Sequence, residues 1–302
     1  MRIAENKAYL LTYKDFNYSQ LLLQIHDFPP VISYKGNVEL LNSEKIVAIV
    51  GARNSSINSR SFASSLSKGL VAAGYVTVSG LARGIDTAVH ESSGLANIAV
   101  IAGGIDHIYP PENHALFEKI SKEALLIAEL PIGSKPLSQH FPQRNRIIAG
   151  LALATIVVEA SLKSGSLITA KFALEQNRDV FAVPGFPLDP RCMGSNRLIK
   201  DGAYLLESIE DVISNTSSYK KLLEEPQNCN NNFTLTAMRD NLDIKDSDRE
   251  VVIGLLSTVP VTYELLSSET KFSLPVIYTI CLELELAGKI SRHAGNKISL
   301  IY

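Results

Sequence analysis

The sequence predicts an α/β fold: a doubly wound domain built on a parallel sheet, followed by a small C-terminal winged-helix domain. Three observations carry this. Short apolar runs such as Ile46-Val-Ala-Ile-Val50 end on glycine and alternate with amphipathic stretches from Ile46 to about 214. Strands apolar on both faces belong to a sheet covered on both sides by helices. The composition then turns polar, with Asn228 to Asn232 lacking any usable period. Beyond it three short helical patterns and a hairpin pattern complete the chain.

In order, the first 45 residues form a lead-in segment, with Leu21-Leu-Leu-Gln-Ile25 as a short helix broken by Asp27-Phe-Pro-Pro30. Residues 46–214 form the sheet domain. Its strands are expected at Ile46–Val50, Tyr75–Ser79, Ile98–Ala102, Ala124–Ala128, Thr155–Glu159 and Val180–Val183. Its helices are expected at Phe62–Ala73, Gly84–Ser92, His114–Lys122, from the Arg144-Asn-Arg146 segment onward, and at Ser166–Gln176. Residues 215–246 read as a linker. Residues 247–302 read as the winged helix. Arg249–Ser257 and Thr262–Leu266 are its first helices, Ser273 caps a third with Pro275 in its first turn, and a hairpin turns near Gly295-Asn296.

The chain of 302 residues has a formal net charge of −2, so any affinity for nucleic acid must be local. The start of the chain lacks the pattern of a signal peptide. No apolar run suits a membrane span, and no membrane insertion is expected. Cys192, Cys229 and Cys281 are widely spaced, without C-x-x-C or H-E-x-x-H, which fits a reducing cytoplasm and no metal site. The first turn, Gly51-Ala-Arg53, is not G-x-G-x-x-G, and no P-loop pattern is present, so neither a nicotinamide cofactor nor P-loop ATP chemistry is expected. No cofactor is called for.

In an open parallel sheet, ligands bind beyond the carboxyl ends of the strands. There the chain places Gly51-Ala-Arg53, Ser79-Gly80, Arg83-Gly-Ile-Asp86, Ser164-Gly-Ser166 and Gly194-Ser-Asn196. Clustered backbone amides of this kind attract phosphate. The segment Phe141-Pro-Gln-Arg-Asn-Arg-Ile147 adds two guanidinium groups, suited to phosphate, and a ring suited to stacking on an unpaired base. Asp86, His90, Asp106, His107 and Glu159 are the available acids and bases, and Asp86 and His90, four apart on one helix, are expected to pair. No nucleophile–base–orienter set is visible, and no catalytic residue is assigned.

Taken together with Tyr109-Pro-Pro-Glu-Asn113, Ser164-Gly-Ser-Leu-Ile-Thr-Ala170, Pro184-Gly185 and Gly194-Ser-Asn-Arg-Leu-Ile199, these blocks resemble the DNA-processing protein A (DprA/Smf) family. The resemblance implies an extended Rossmann-like domain that binds single-stranded DNA without catalysis. It implies a homodimer that loads the RecA recombinase onto incoming DNA during natural transformation and displaces single-strand-binding protein. Position by position, it assigns phosphate contacts to Gly51 and Arg53, to Ser79, Gly80 and Gly84, to Arg144, Asn145 and Arg146, to Ser164, Gly165, Ser166 and Thr169, and to Gly194 and Asn196. Phe141 as a stacking ring and Lys200 as a further phosphate partner are inferred from the residues alone. The family's Tyr-Gly is here Asn58-Ser59, which bears on how the first helix packs, and the N-terminal region is too short for the helical domain many members carry. The alternative is a nucleotide-binding enzyme of the phosphoribohydrolase type. The glutamate of that branch's signature falls on Thr169, which argues for binding over hydrolysis.

Overall fold

The computed structural model describes residues 7–224, 245–257, 260–293 and 297–301. The chain divides into two compact units, Met1–Pro226 and Gln227–Tyr302.

The first unit runs β1 (Tyr9–Thr12), α1 (Gln20–Leu23), β2 (Val31–Gly36), β3 (Ile46–Val50), α2 (Ile57–Ala72), β4 (Val76–Ser79), α3 (Ile85–Ser92), β5 (Asn97–Gly104), α4 (His114–Glu123), β6 (Leu125–Leu130), α5 (His140–Gly150), β7 (Ala154–Val157), α6 (Ser166–Glu175), β8 (Asp179–Ala182), α7 (Met193–Lys200), β9 (Tyr204–Leu205) and α8 (Ile209–Glu224). All nine strands form one sheet in the order β1-β2-β6-β5-β4-β3-β7-β8-β9. Every pairing from β6 to β9 is parallel. The apolar runs are therefore buried on both faces. Ile46, Ala48 and Val50 pack with α1, α5 and α6, while Val47 and Ile49 pack with α2, α3 and α8. Phe117 and Ile120 of α4 cover Ala99, Ile101 and Leu126 on that second side.

The lead-in segment belongs to this domain. β2 pairs antiparallel with β6, β1 pairs antiparallel with β2, and Tyr18, Leu22 and Ile25 lie in the core beneath α5. Alternating residues along β2 gave only a weak period, and pairing at a sheet edge supplied what local sequence did not. At the other boundary α8 runs to Glu224, ten residues into the stretch read as linker. Val212 fills the core, and Thr216 and the Tyr75 hydroxyl share a hydrogen bond of 2.6 Å. Most of the rest of that stretch lies outside the described residues.

Two helices start earlier than their apolar pattern. α2 begins at Ile57, because the Ser56 hydroxyl accepts from the Ser59 amide at 3.1 Å. α5 begins at His140, so the Arg144-Asn-Arg146 segment lies inside the helix instead of opening it. Phe141 and Pro142 sit in its first turn, where proline's missing donor leaves no bond unmade.

The chain fills β3, β4, β5 and β6 outward in one direction, then returns to place β7 beside β3. The reversal opens a crevice above the carboxyl ends of β3 and β7.

The second unit comprises α9 (Asp246–Leu255), β10 (Val261–Thr262), α10 (Tyr263–Thr270), α11 (Leu274–Leu286), β11 (Ile290–His293) and β12 (Lys297–Leu300), with an antiparallel sheet in the order β10-β12-β11. Val252, Tyr263, Leu266, Ile277, Cys281 and Leu284 form its core. This is the winged helix the sequence predicts. The expected turn at Gly295-Asn296 lies outside the described residues.

Candidate nucleic-acid interface

A cleft of about 530 Å³ opens above the β3–β7 crevice. Its walls come from five places: the β3 turn (Gly51 to Asn54), Ala82 and Asp86 around the start of α3, the first half of α5 (Phe141 to Asn145), the start of α6 (Ser164 to Thr169), and Arg191.

The floor is a polar brace. Arg144 is buried, and its Nη1 donates to the carbonyls of Gly80 at 2.6 Å and Val100 at 2.5 Å. Its Nε donates to Asn145 Oδ1 at 3.1 Å, and Asn145 Nδ2 donates to the Gly165 carbonyl at 3.3 Å. One guanidinium thus joins the turn after β4 and the middle of β5 to the loop before α6. Burial lowers its pKa to about 10, which leaves it a cation at neutral pH. Gly80 is required beneath it, because a Cβ there would stand 2.6 Å from Arg144 Nη1.

Asp86 and His90 were expected to pair with each other. They hold the Gly80–Ala82 turn instead. Asp86 Oδ2 accepts from the amides of Gly80 at 3.2 Å and Ala82 at 3.3 Å. His90 Nε2 accepts from the Leu81 amide at 3.1 Å, and its Nδ1 bonds Asn97 Oδ1 at 2.7 Å. An imidazole that accepts at Nε2 and donates at Nδ1 is neutral. Burial accordingly lowers the His90 pKa to about 4. Burial pushes the Asp86 carboxyl up, against the pull of the Arg144 charge.

Glu159 is also committed. Buried at the end of β7, it accepts from the Ser56 amide at 3.1 Å, the Ser56 hydroxyl at 2.7 Å and the Ser59 hydroxyl at 2.7 Å. Its carboxylate fills the amino end of α2, where the helix favours negative charge. Ser59, the departure from the family's Tyr-Gly, is one of its anchors. Gly84 locks the first two turns together: it has φ +80°, and a Cβ there would lie 2.3 Å from the Ala52 carbonyl oxygen.

Above this brace Arg53 is exposed. Its guanidinium sits 4.9 Å from the centre of the Phe141 ring, which in turn packs 5.5 Å from Tyr109. The ring expected to stack on a base therefore holds an arginine in place. Ser166 is buried at the start of α6, where its hydroxyl pairs with that of Ser164 at 2.8 Å, and Thr169 is buried one turn on.

The structure thus gathers Gly51, Arg53, Phe141, Arg144, Asn145, Ser164, Gly165, Ser166 and Thr169 around one cleft. Ser79 and Gly80 support it from beneath, and the Ser79 hydroxyl donates to the Ile49 carbonyl at 2.6 Å. Besides Gly84, which joins the two turns outside the cleft lining, four expected residues fall outside the cleft. Arg146 bonds Asp27 at 3.0 Å and Glu129, tying the lead-in segment to α5. Gly194 approaches Ala160, its amide donating to that carbonyl at 2.7 Å. Asn196 bridges the amide and carbonyl of Gly185, both at 3.0 Å. Lys200 is exposed in the last turn of α7. Arg191, paired with Asp189 at 2.6 Å, and Tyr109 were missed. Tyr109 opens the Tyr109-Pro-Pro-Glu-Asn113 segment, but only the fold brings it to Phe141.

In the winged helix, Glu283 and Glu285 are ion-paired with Arg249 at 2.8 Å and Arg292 at 2.9 Å. The exposed face of α11 carries Leu274, Tyr278, Leu282 and Leu286 at four-residue spacing. A helix that reads a major groove presents polar side chains there.

Fold and site define a class: an extended Rossmann-like domain with a polar, arginine-lined cleft at its switch point, joined to a winged helix. Residues 9–217 match the family model described as DNA recombination-mediator protein A, and residues 236–296 match the DprA winged helix domain. The chain belongs to the DNA recombination-mediator protein A (DprA/Smf) family. It is 44% identical over 208 residues to DNA processing protein DprA of Bacillus subtilis, covering 68% of this chain and 70% of that one. It is 34% identical over 288 residues to Protein Smf of Escherichia coli, covering 94% and 75%. Among solved structures, DprA of Streptococcus pneumoniae superimposes with a TM-score of 0.66 at 42% identity, covering 70% of this chain and 76% of that one. DprA of Helicobacter pylori, described for its single-stranded DNA binding mode, superimposes with a TM-score of 0.64 at 27% identity, covering 70% and 96%.

Removing the brace and removing the exposed cation should differ in stability. Arg144→Met leaves two carbonyls and the Asp86 carboxyl without their partner and should cost about 3–5 kcal/mol in urea unfolding. Arg53→Ala should stay within about 0.5 kcal/mol of the wild type. Equal effects would contradict the assignment.

His90 also sets a pH dependence. A histidine whose folded pKa lies below its unfolded value contributes stability that is present above pH 6.5 and lost as pH falls toward 4. The loss should reach about 3 kcal/mol. His90→Gln should flatten the unfolding free energy over that window. Asp86 acts with the opposite sign in both proteins and cancels from the comparison. Parallel pH profiles would contradict the neutral, buried imidazole.

Proposed function

We propose that the chain is a single-stranded-DNA-binding recombination mediator whose strand lies in the switch-point cleft. One observation carries the reading: Arg53 stands exposed at the cleft, oriented by Phe141, above backbone turns held open by a buried polar brace. A phosphodiester meets the Arg53 guanidinium and the turns at Gly51 and Ser164–Ser166. Arg144 acts by fixing those turns and by adding its charge from below, not by direct grip.

The commitment of Asp86 and Glu159 to backbone and hydroxyl donors supports binding over turnover, since neither carboxylate is free to act as a base. In this reading the protein protects incoming DNA and displaces single-strand-binding protein. It loads the RecA recombinase during transformation and works as a homodimer in the cytoplasm. The apolar face of α11 supports a protein-contact role for the winged helix.

Binding of fluorescent oligothymidylate across a salt series tests the reading. Arg53→Ala should weaken affinity about tenfold, or about 1.4 kcal/mol. It should reduce the log–log salt slope by about 0.7, the value for one phosphate contact on a single strand. Other base sequences should lose affinity equally. Wild-type affinity and slope in Arg53→Ala would overturn the proposal. RecA filament assembly on strands precoated with single-strand-binding protein should accelerate on adding the chain, and an unchanged rate would remove the loading step.

A further inference from the structure

A second open trough, of about 730 Å³, lies between the first turns of α2 and α3. Arg53 lines both this trough and the switch-point cleft, so one guanidinium is their common wall. Two further arginines line it. Arg60 is exposed in the first turn of α2. Arg83 is exposed in the turn before α3 and only loosely paired, its Nη1 lying 3.7 Å from Glu112. Ser55 lines the trough too, and its hydroxyl is buried with no hydrogen-bond partner among the described residues. Ile57 adds an exposed apolar surface, and Glu91 is an opposing charge. Three arginines against two carboxylates, Glu91 and the loosely paired Glu112, leave an excess of positive charge here in a chain with net charge −2.

We propose that the trough is a second strand-binding segment: a single DNA strand leaving the switch-point cleft passes Arg53 and lays its next phosphates on Arg60 and Arg83. This rests on the switch-point reading and extends it. The first cleft holds a short stretch, and the trough recruits only strands long enough to cross Arg53. Affinity therefore steps up with length. Glu91 limits the grip, so a strand is held without being trapped.

The test is a length series of oligothymidylates on the full chain, from about 4 to about 16 nucleotides, the range of single-strand site sizes. The double variant Arg60→Ala/Arg83→Ala should bind the longest strand about tenfold more weakly, with a salt slope smaller by roughly 1.4 for two lost contacts. It should bind the shortest strand like the wild type. Both side chains are exposed, so its melting temperature should not move. Glu91→Gln should tighten binding of the longest strand roughly twofold. Wild-type affinity and slope for the longest strand in the double variant overturn the inference, and so does an equal loss at both lengths. Arg53→Ala separates the two readings. If it weakens both lengths while the double variant changes nothing, the trough is not a strand site and the switch-point cleft still is. If it leaves both unchanged, the cleft reading falls and this inference with it.

Discussion

The site depends on one buried cation. Arg144 binds a carbonyl of the turn after β4 and one in the middle of β5 with a single nitrogen, and reaches the α6 loop through Asn145. A charge taken out of water is tolerated only where its hydrogen bonds are made and an opposite charge stands near. Here the two carbonyls, Asn145 and the field of Asp86 meet that requirement. Gly80 follows from it, since only a residue without a side chain leaves room for the guanidinium. Asp86 and His90 then fix the amides of the same turn from the other side. The turns that shape the cleft are thus held by internal hydrogen bonds, an arrangement that lowers the cost of ordering on binding.

A division of labour follows among the arginines. Arg144 builds, Arg146 fastens the lead-in segment, and Arg53 faces solvent. Phe141 belongs to this scheme as a support. An arginine held over a ring loses less freedom when it meets a phosphate than one swinging in solvent. A protein without excess positive charge concentrates its electrostatics in this way, with few cations pre-positioned at one edge of the sheet.

Much of the fold was legible because the sheet is parallel. Strands buried on both faces write continuous apolar runs, and β3 to β8 all appear that way, with β3, β4 and β5 ending on glycine. β1 and β2 were not legible, since edge strands joined by antiparallel pairing carry little signal of their own. The cleft itself was legible from the glycine turns at the strand ends. The roles within it were not. Charge can be read from a residue letter but burial cannot, so Arg144 and Arg53 looked alike although one is inside and one outside. Asp86 and His90 stood at a spacing that suits a pair, and the backbone amides of a neighbouring turn outcompeted that pairing. Glu159 showed the same limit, because its partners Ser56 and Ser59 are distant in sequence.

Arginine side-chain NMR on the full chain, followed while oligothymidylate is added, tests the division of labour most directly. The account predicts that the Nε–Hε resonance of Arg53 shifts on binding. The Arg144 resonance, bonded to Asn145 inside the floor, should stay in place and remain slow to exchange with solvent before and after. A large shift at Arg144 with none at Arg53 would contradict it, and would return the grip to the buried arginine.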